Sequence, residues 1–271
     1  MSEISIYCCT IENCKILEKL PSYITPVGLG NKTFPKYWET EKNGENISKL
    51  NSYYAELTMY YWMWKNKFKK YEKNDFIGTC KHDLLWLDKL YTKKQKVVFS
   101  NLYQNLLSVN NEAFKNKDII VPQEIIYTNK TLFEDFKICH GENLMNEAIK
   151  FLPIEERKPF EKHLKQNSLY MGLMFITKKK YFEEYCELIF PWVDKCYNYC
   201  LDKNLLNGYN IRLPVFLAER FSSYWMSKFN KKKTLSFARL GKFHISNKLN
   251  YFLNTTKLPL TFYQYPTLYK Y

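Results

Sequence analysis

Short apolar runs along the chain alternate with longer segments in which apolar residues recur every three to four positions. Ile4–Thr10 is an apolar run with β-branched residues, and it predicts a first buried strand that ends in a polar residue. Similar runs over residues 75–80, 118–122 and 169–177 predict further buried strands. Strands that alternate with helices are typical of a largely parallel sheet, so the pattern predicts an α/β fold.

The helical segments are longer than the strands. Over residues 51–68, Tyr54, Leu57 and Tyr61 share one apolar stripe, which predicts a helix. Residues 21–46 are rich in Pro, Gly, Asn and Thr and predict a long loop. Further helices are predicted over 93–117, from Lys180 with a kink or a break at Pro191, and from Pro214 to Phe229.

Composition indicates one large domain in the cytoplasm. The 271 residues are 46% hydrophobic, and we predict a domain over 1–230 and a basic, then aromatic tail over 231–271 that packs on it. No stretch approaches the roughly 18 consecutive apolar residues of a transmembrane helix. The N-terminus does not resemble a secretory signal, and the eight cysteines lack the spacing of a zinc site. We therefore expect a cytoplasmic protein with reduced thiols.

The formal net charge is +14, from 41 Lys and Arg against 27 Asp and Glu. Such a balance favours nucleic acid, an anionic membrane or a phosphorylated ligand, although an AT-rich genome would also enrich lysine. Arginine occurs at only four positions, and no nucleic-acid-binding motif is present, so we expect no nucleic-acid partner. Aromatic residues make up 18% and would suit stacking on sugars, but they also fill cores.

Four segments carry a resemblance to a known family. They are Pro26-Val27-Gly28; Asn46-Ile47-Ser48 with Asn51 and residues 54–66; residues 170–177 with Phe182, Tyr185-Cys186 and Phe190-Pro191; and residues 216–220. Together they resemble DUF4422, a family of bacterial glycosyltransferases found in capsule and lipopolysaccharide loci. The resemblance spans roughly residues 4–229.

The resemblance implies a GT-A-like α/β fold with a nucleotide-binding sheet, flanking helices and a helical C-terminal region. It also implies transfer of a sugar from a nucleoside-diphosphate donor, expected to be UDP-linked, to a hydroxyl of a capsular polysaccharide or lipopolysaccharide glycan. A basic surface would hold the enzyme at the anionic inner face of the cytoplasmic membrane, near a lipid-linked acceptor.

The chain departs from the family after the predicted strand 75–80. No Asp-x-Asp motif occurs, and the strand runs into Lys81, His82 and Asp83. Two accounts stay open. Asp83 and His82 would hold Mn²⁺ or Mg²⁺, with His244 as a further candidate ligand, or Lys81 would neutralise the donor diphosphate directly.

The remaining candidate residues follow from position and resemblance. Glu219 is a candidate base for the acceptor hydroxyl, and Arg220 would suit a donor phosphate, with a structural Glu–Arg pair as the alternative. Glu56 needs a partner within its apolar helix and is a candidate donor-site residue. The other donor-site candidates are Cys9, Thr10, Val27, Gly28, Asn46 and Ser48; the last two would equally cap the following helix.

Two rival functions remain open. The missing acidic pair favours a catalytically inactive carbohydrate-binding or scaffold protein of the same fold. The basic charge favours a nucleic-acid-binding module, against which the scarcity of arginine counts.

Overall fold

A computed structural model describes residues 3–91, 102–141, 143–170, 172–242 and 267–270. Within them, ten strands form one sheet and two form a separate antiparallel pair. The strands are β1 (Ile4–Thr10), β2 (Ile24–Gly28), β3 (Glu39–Thr40), β4 (Phe76–Lys81), β5 (Leu84–Trp86), β6 (Ile119–Pro122), β7 (Glu124–Ile126), β8 (Ser168–Tyr170), β9 (Ile176–Lys178), β10 (Lys232–Leu235), β11 (Phe237–Lys242) and β12 (Thr267–Lys270). The helices are α1 (Asn51–Tyr54), α2 (Leu57–Asn66), α3 (Leu132–His140), α4 (Leu144–Lys150), α5 (Ile154–Leu164), α6 (Lys179–Asp202) and α7 (Leu213–Ser227).

The central sheet is mostly parallel. Its strand order is β10-β6-β9-β4-β1-β2-β3, and β5 joins β4 to β11. β1 lies parallel to β2 and β4, and β6 lies parallel to β10. β9 runs antiparallel between β4 and β6. The predicted α/β class, with a mostly parallel sheet flanked by helices, is confirmed.

β1 separates two hydrophobic cores. Tyr7 and Cys9 face a core that they share with residues of α2, α6 and α7, whereas Ile6 and Cys8 face a second core that includes Trp86 of β5. Successive side chains of a strand point to opposite faces, so a strand covered on both faces needs apolar residues throughout. This explains the unbroken apolar run that predicted β1.

The predicted helix over 51–68 is broken in two. Ala55 has φ 43° and ψ −126°, a conformation unusual for any residue except glycine. The Asn51 side chain holds the break, because its Nδ2 donates to the Ala55 carbonyl at 3.1 Å and to Thr58 Oγ1 at 3.0 Å. The break ends α1 and places Glu56 immediately before α2.

The apolar run 169–177 also departs from its prediction as one strand. It forms β8 and β9, which belong to different sheets. Between them Gly172 and Leu173 have φ 59° and 35°, so the chain turns instead of continuing in extended form. Position 171 lies outside the described residues.

Three other predictions needed correction. The predicted loop 21–46 contains β2 and β3. Over the described part of 93–117, which begins at residue 102, the chain forms short 3₁₀ turns rather than an α-helix. Pro191 does not interrupt α6, which is one helix of 24 residues. The predicted helix from Pro214 is α7, and proline lies in its first turn.

Candidate active site

The carboxyl ends of three neighbouring strands meet at one edge of the sheet. Cys9 of β1 lies between Val27 of β2 and Lys81 of β4, and Thr10 pairs with Gly28. In open α/β sheets this edge is where ligands bind. The structure therefore brings five of the predicted site residues together.

Lys81 and Glu56 form an ion pair at this edge. Glu56 keeps 10% of its side-chain surface exposed and Lys81 keeps 24%. Burial lowers the pKa of Lys81, but the carboxylates of Glu56 and Glu219 outweigh burial and raise it above the ordinary value. Burial acts to raise the pKa of Glu56, but Lys81 outweighs burial and lowers it. Both groups are therefore charged at neutral pH.

Glu219 is the second carboxylate near Lys81. It lies on α7 with 23% of its side chain exposed, and its Oε2 is 3.6 Å from Arg220 Nη1. Burial raises the pKa of Glu219 above its ordinary value, although Arg220 and Lys81 act in the opposite direction. A carboxylate with a raised pKa takes up a proton more readily, which suits a general base.

Arg220 is buried and contacts α3. Its Nη2 donates to Asp135 Oδ2 at 2.7 Å, its Nη1 donates to the Phe216 carbonyl at 3.2 Å, and its guanidinium lies 5.3 Å from the Phe136 ring centre. Asp135 also pairs with Lys130 at 2.6 Å. The closest ion pair of Arg220 is thus with Asp135 rather than with Glu219, and phosphate binding by Arg220 stays a prediction.

These side chains form a row of alternating charge, which we call the charge row. It consists of Glu56, Lys81, Glu219, Arg220, Asp135 and Lys130.

Arg212 stands beside the charge row and was missed by the sequence reasoning. It is exposed, in the 3₁₀ turn Gly208–Arg212, and its charge helps to lower the pKa of Glu56. Its guanidinium makes no ion pair or hydrogen bond with another described residue. The only sequence signal for Arg212 was that the chain contains just four arginines.

His82 and Asp83 form the tight turn between β4 and β5, where Lys81 pairs with Leu84. The His82 amide donates to the Cys9 carbonyl at 3.0 Å, which fixes the turn against β1. Both residues are half-buried and lie at the same edge as Lys81. Among the described residues, no cluster of three or more His, Cys, Asp or Glu side chains is arranged to hold a metal ion. His244 lies outside the described residues.

The residues of β1 and β2 present backbone rather than reactive side chains. Thr10 Oγ1 donates to the Glu12 carbonyl at 2.6 Å and accepts from the Glu12 amide at 3.0 Å, so the hydroxyl is used within its own turn. Burial raises the pKa of the Cys9 thiol, which keeps it protonated. A Cβ on Gly28 would lie 2.1 Å from the Phe34 ring, so this position requires glycine.

Asn46 and Ser48 bond to each other and to their own loop. Asn46 Oδ1 accepts from the Ser48 amide at 3.2 Å and from Ser48 Oγ at 2.8 Å. Asn46 Nδ2 donates to the carbonyls of Lys42 and Gly44. These contacts stabilise the approach to α1, and donor binding by the two residues stays a prediction.

Comparison with known proteins gives the family. The sequence model of the domain of unknown function DUF4422 matches residues 5–232. The chain belongs to this family. Its description records no activity, so membership by itself assigns none.

The fold of this DUF4422 chain is shared with a glycosyltransferase of known structure. It superposes on the apo structure of the bifunctional glycosyltransferase WbbM with a TM-score of 0.69 and 18% sequence identity. The match covers 87% of this chain and 45% of WbbM, so the chain spans less than half of that protein. The likeness shows the fold and is consistent with the predicted GT-A-like architecture.

No curated protein matches the chain significantly. None of the described helices is long and apolar enough to cross a membrane.

Three aromatic rings of the DUF4422 chain stand next to the charge row, and we call them the aromatic shelf: His140, Tyr209 and Phe216. The His140 and Phe216 ring centres are 4.5 Å apart, and the Tyr209 and Phe216 centres are 5.1 Å apart. Tyr209 is 72% exposed. Neither His140 nor Tyr209 was predicted from the sequence as a site residue.

A separate cavity of about 760 Å³ opens between α4, α5 and α6. Its lining includes Phe151, Arg157 and Tyr199, and none of the predicted site residues contributes to it. It lies among the helices rather than at the strand ends.

Proposed function

We propose that this chain transfers a glycosyl unit from a nucleoside-diphosphate sugar, UDP-linked, to a hydroxyl of a growing bacterial surface glycan. The acceptor would belong to a capsular polysaccharide or a lipopolysaccharide. The observation that carries the proposal is the ion pair of Lys81 with Glu56 at the strand ends, together with the electrostatic coupling between Lys81 and the Glu219 carboxylate. A cation and a carboxylate with a raised pKa are the two groups that glycosyl transfer needs at this edge.

On the donor side, the departing diphosphate gains negative charge as its bond to the sugar breaks. Lys81 and Arg212 supply positive charge at the strand ends, and the backbone groups after β1 and β2 would cradle the nucleotide. A divalent cation would supply the same stabilisation, with Asp83 and His82 as its ligands on this chain. The paired Glu56 keeps Lys81 charged and in place.

On the acceptor side, Glu219 would act as the base. The acceptor hydroxyl gives its proton to the Glu219 carboxylate, and its oxygen forms the new bond to the anomeric carbon. The bond between that carbon and the phosphate oxygen breaks, and its electron pair leaves with the nucleoside diphosphate. Atoms and charge balance without a further reactant.

The basic surface supports a peripheral position at the inner face of the cytoplasmic membrane, beside a lipid-linked acceptor. The formal charge of +14 would favour anionic lipid. Co-sedimentation with vesicles of phosphatidylglycerol, compared with phosphatidylcholine, tests this position. Equal recovery of the protein from both vesicle types would contradict it.

The direct test measures binding and turnover separately. UDP, GDP and ADP are added with and without Mn²⁺, and the shift of the unfolding midpoint is recorded. We expect UDP to stabilise the wild type, and Lys81→Ala to reduce that shift. Lys178→Ala is a matched control, because Lys178 forms a similarly half-buried ion pair with Asp118 and lies beside Phe76, at the opposite end of β4 from Lys81.

Turnover then separates the proposal from its rival. Release of UDP from UDP-hexoses should require Glu219, and Glu219→Gln should lower it at least 100-fold, as expected for loss of a base. The missing Asp-x-Asp motif favours the rival, an inactive carbohydrate-binding protein. Nucleotide binding without turnover would support that rival, and full activity in both Lys81→Ala and Glu219→Gln would reject this site.

A further inference from the structure

The aromatic shelf has a geometry that the charge row does not explain. The His140 and Tyr209 ring planes are 5° from parallel with centres 5.7 Å apart, and the Phe216 ring lies within 27° of both planes. Buried aromatic pairs of this chain are mostly edge-on, as in the contacts of Tyr60. The shelf instead presents rings of similar orientation, and its outermost member, Tyr209, is 72% exposed.

The shelf adjoins the proposed base. Phe216 precedes Glu219 by three positions on α7, so the two side chains lie on one face of the helix. The Glu219 carboxylate is close enough to Tyr209 to contribute to the raised pKa of the phenol, after the larger effect of burial. A ligand on the shelf would therefore have one end within reach of Glu219.

The polar groups that contact the shelf rings are uncharged. His140 Nδ1 lies 2.9 Å from Asn210 Oδ1, and burial lowers the pKa of the imidazole, which keeps it uncharged at neutral pH. The nearby cations Arg220 and Lys130 are both paired with Asp135. The surface thus combines an apolar face with uncharged hydrogen-bonding groups. Arg212, the cation in the same turn as Tyr209 that pairs with no other described residue, is the one assigned above to the donor diphosphate.

We propose that the aromatic shelf is the subsite for the acceptor sugar, and that it takes a neutral hexose unit whose apolar face stacks on Tyr209. One hydroxyl of that hexose then lies toward Glu219, and Asn210 and His140 contact others. This inference rests on the proposed function, because it assigns Glu219 its substrate. Sugar rings carry an apolar face and a polar edge, which matches a flat aromatic surface with polar groups beside it.

The test has a binding arm and a kinetic arm. In the binding arm, saturation-transfer NMR is recorded with the methyl glycosides of glucose, galactose, mannose and N-acetylglucosamine. We expect at least one to bind the wild type, and Tyr209→Ala to abolish the signal. Tyr37→Ala is the matched control. Tyr37 is also 72% exposed, but it is distant in sequence from the shelf and its ring packs on Trp38. Tyr209→Phe should retain binding, since stacking needs the ring and not the hydroxyl.

In the kinetic arm, the same glycosides serve as acceptors. Tyr209→Ala should raise the acceptor KM at least tenfold, while the unfolding shift caused by UDP persists and shows that the donor site is folded. An unchanged acceptor KM in an active Tyr209→Ala variant would overturn the subsite alone. Absence of UDP binding and turnover in the wild type would instead overturn the proposed function. In that case the NMR experiment still tests the subsite. If none of the four glycosides binds the wild type, the subsite proposal is overturned.

Discussion

Glu56 reaches across from the start of α2 to pair with Lys81 at the end of β4. The pair links the helix break at Ala55 to the sheet edge where the candidate site lies. The Glu219 carboxylate also helps to raise the pKa of Lys81, so two carboxylates act on one ammonium group. Removal of the two partners should therefore have unequal effects.

Lys81→Met should destabilise the protein more than Glu56→Gln. Loss of Lys81 leaves Glu56 and Glu219 as neighbouring carboxylates without their shared cation, whereas loss of Glu56 leaves Lys81 with Glu219. We expect a coupling free energy of about 2 kcal/mol, between the values typical of exposed and of buried pairs. Urea unfolding of both single variants and the double variant measures it.

The pair Lys178 and Asp118 supplies the control cycle. It has no second carboxylate within the charge row, so its two single variants should have similar effects. Equal destabilisation by Lys81→Met and Glu56→Gln would contradict the three-group arrangement.

Ala55→Gly should stabilise the protein. Ala55 has φ 43° and ψ −126°, which glycine adopts without the steric cost that a Cβ brings. Relief of this strain, partly offset by the greater freedom of glycine in the unfolded chain, should give about 1 kcal/mol. Thermal unfolding measures the gain, and Ala148→Gly, at a buried position within α4, should lose stability in the same assay. A loss in Ala55→Gly would show that the break is unstrained.

The accuracy of the sequence-based predictions depends on whether an element follows from the local apolar pattern or from specific side-chain contacts. β1, β4, α7 and the start of α6 follow from local periodicity, and each was predicted within a few residues. The break at Ala55 depends on side-chain bonds from Asn51 to Ala55 and Thr58, which an apolar stripe does not reveal. Periodicity alone therefore predicted one helix where the chain forms two.

The same distinction applies to the residues of the candidate site. The buried position of Glu56 predicted the need for a partner, but its identity as Lys81 is a tertiary contact. Asp135, the partner of Arg220, lies 85 residues away in a segment whose three helices were not predicted. Arg212 and Tyr209 carry no motif, and only the fold places Arg212 near Glu56 and Tyr209 near Glu219.

Stability should fall as the pH drops from about 6.5 to 4, and His163 should cause much of this loss. Burial lowers the pKa of His163 from 6.5 to about 4, and its Nε2 lies 3.3 Å from Ser223 Oγ. Between these values the unfolded chain binds a proton that the folded chain does not, so the free energy of unfolding rises with pH. The full contribution is about 3 kcal/mol at 1.4 kcal/mol per pKa unit. Urea unfolding at pH 7, 5.5 and 4 measures it.

His163→Gln should flatten that dependence, because glutamine does not titrate. His140→Gln is the comparison variant. Burial also lowers the pKa of His140, but its hydrogen bond with Asn210 partly offsets that effect. An unchanged pH dependence in His163→Gln would show that other groups cause the acid loss.

The last prediction concerns the pH dependence of transfer. If Glu219 is the base, kcat/KM falls as the pH drops through the pKa of its carboxyl, which burial raises above the ordinary 4.5. Lys81 lowers that pKa, so Lys81→Met should move the acid limb of the profile to higher pH in whatever activity remains. Lys178→Met should leave the limb where it is. Profiles of UDP release from pH 4 to 8 measure both, and a limb that stays in place in Lys81→Met would show that another group accepts the proton.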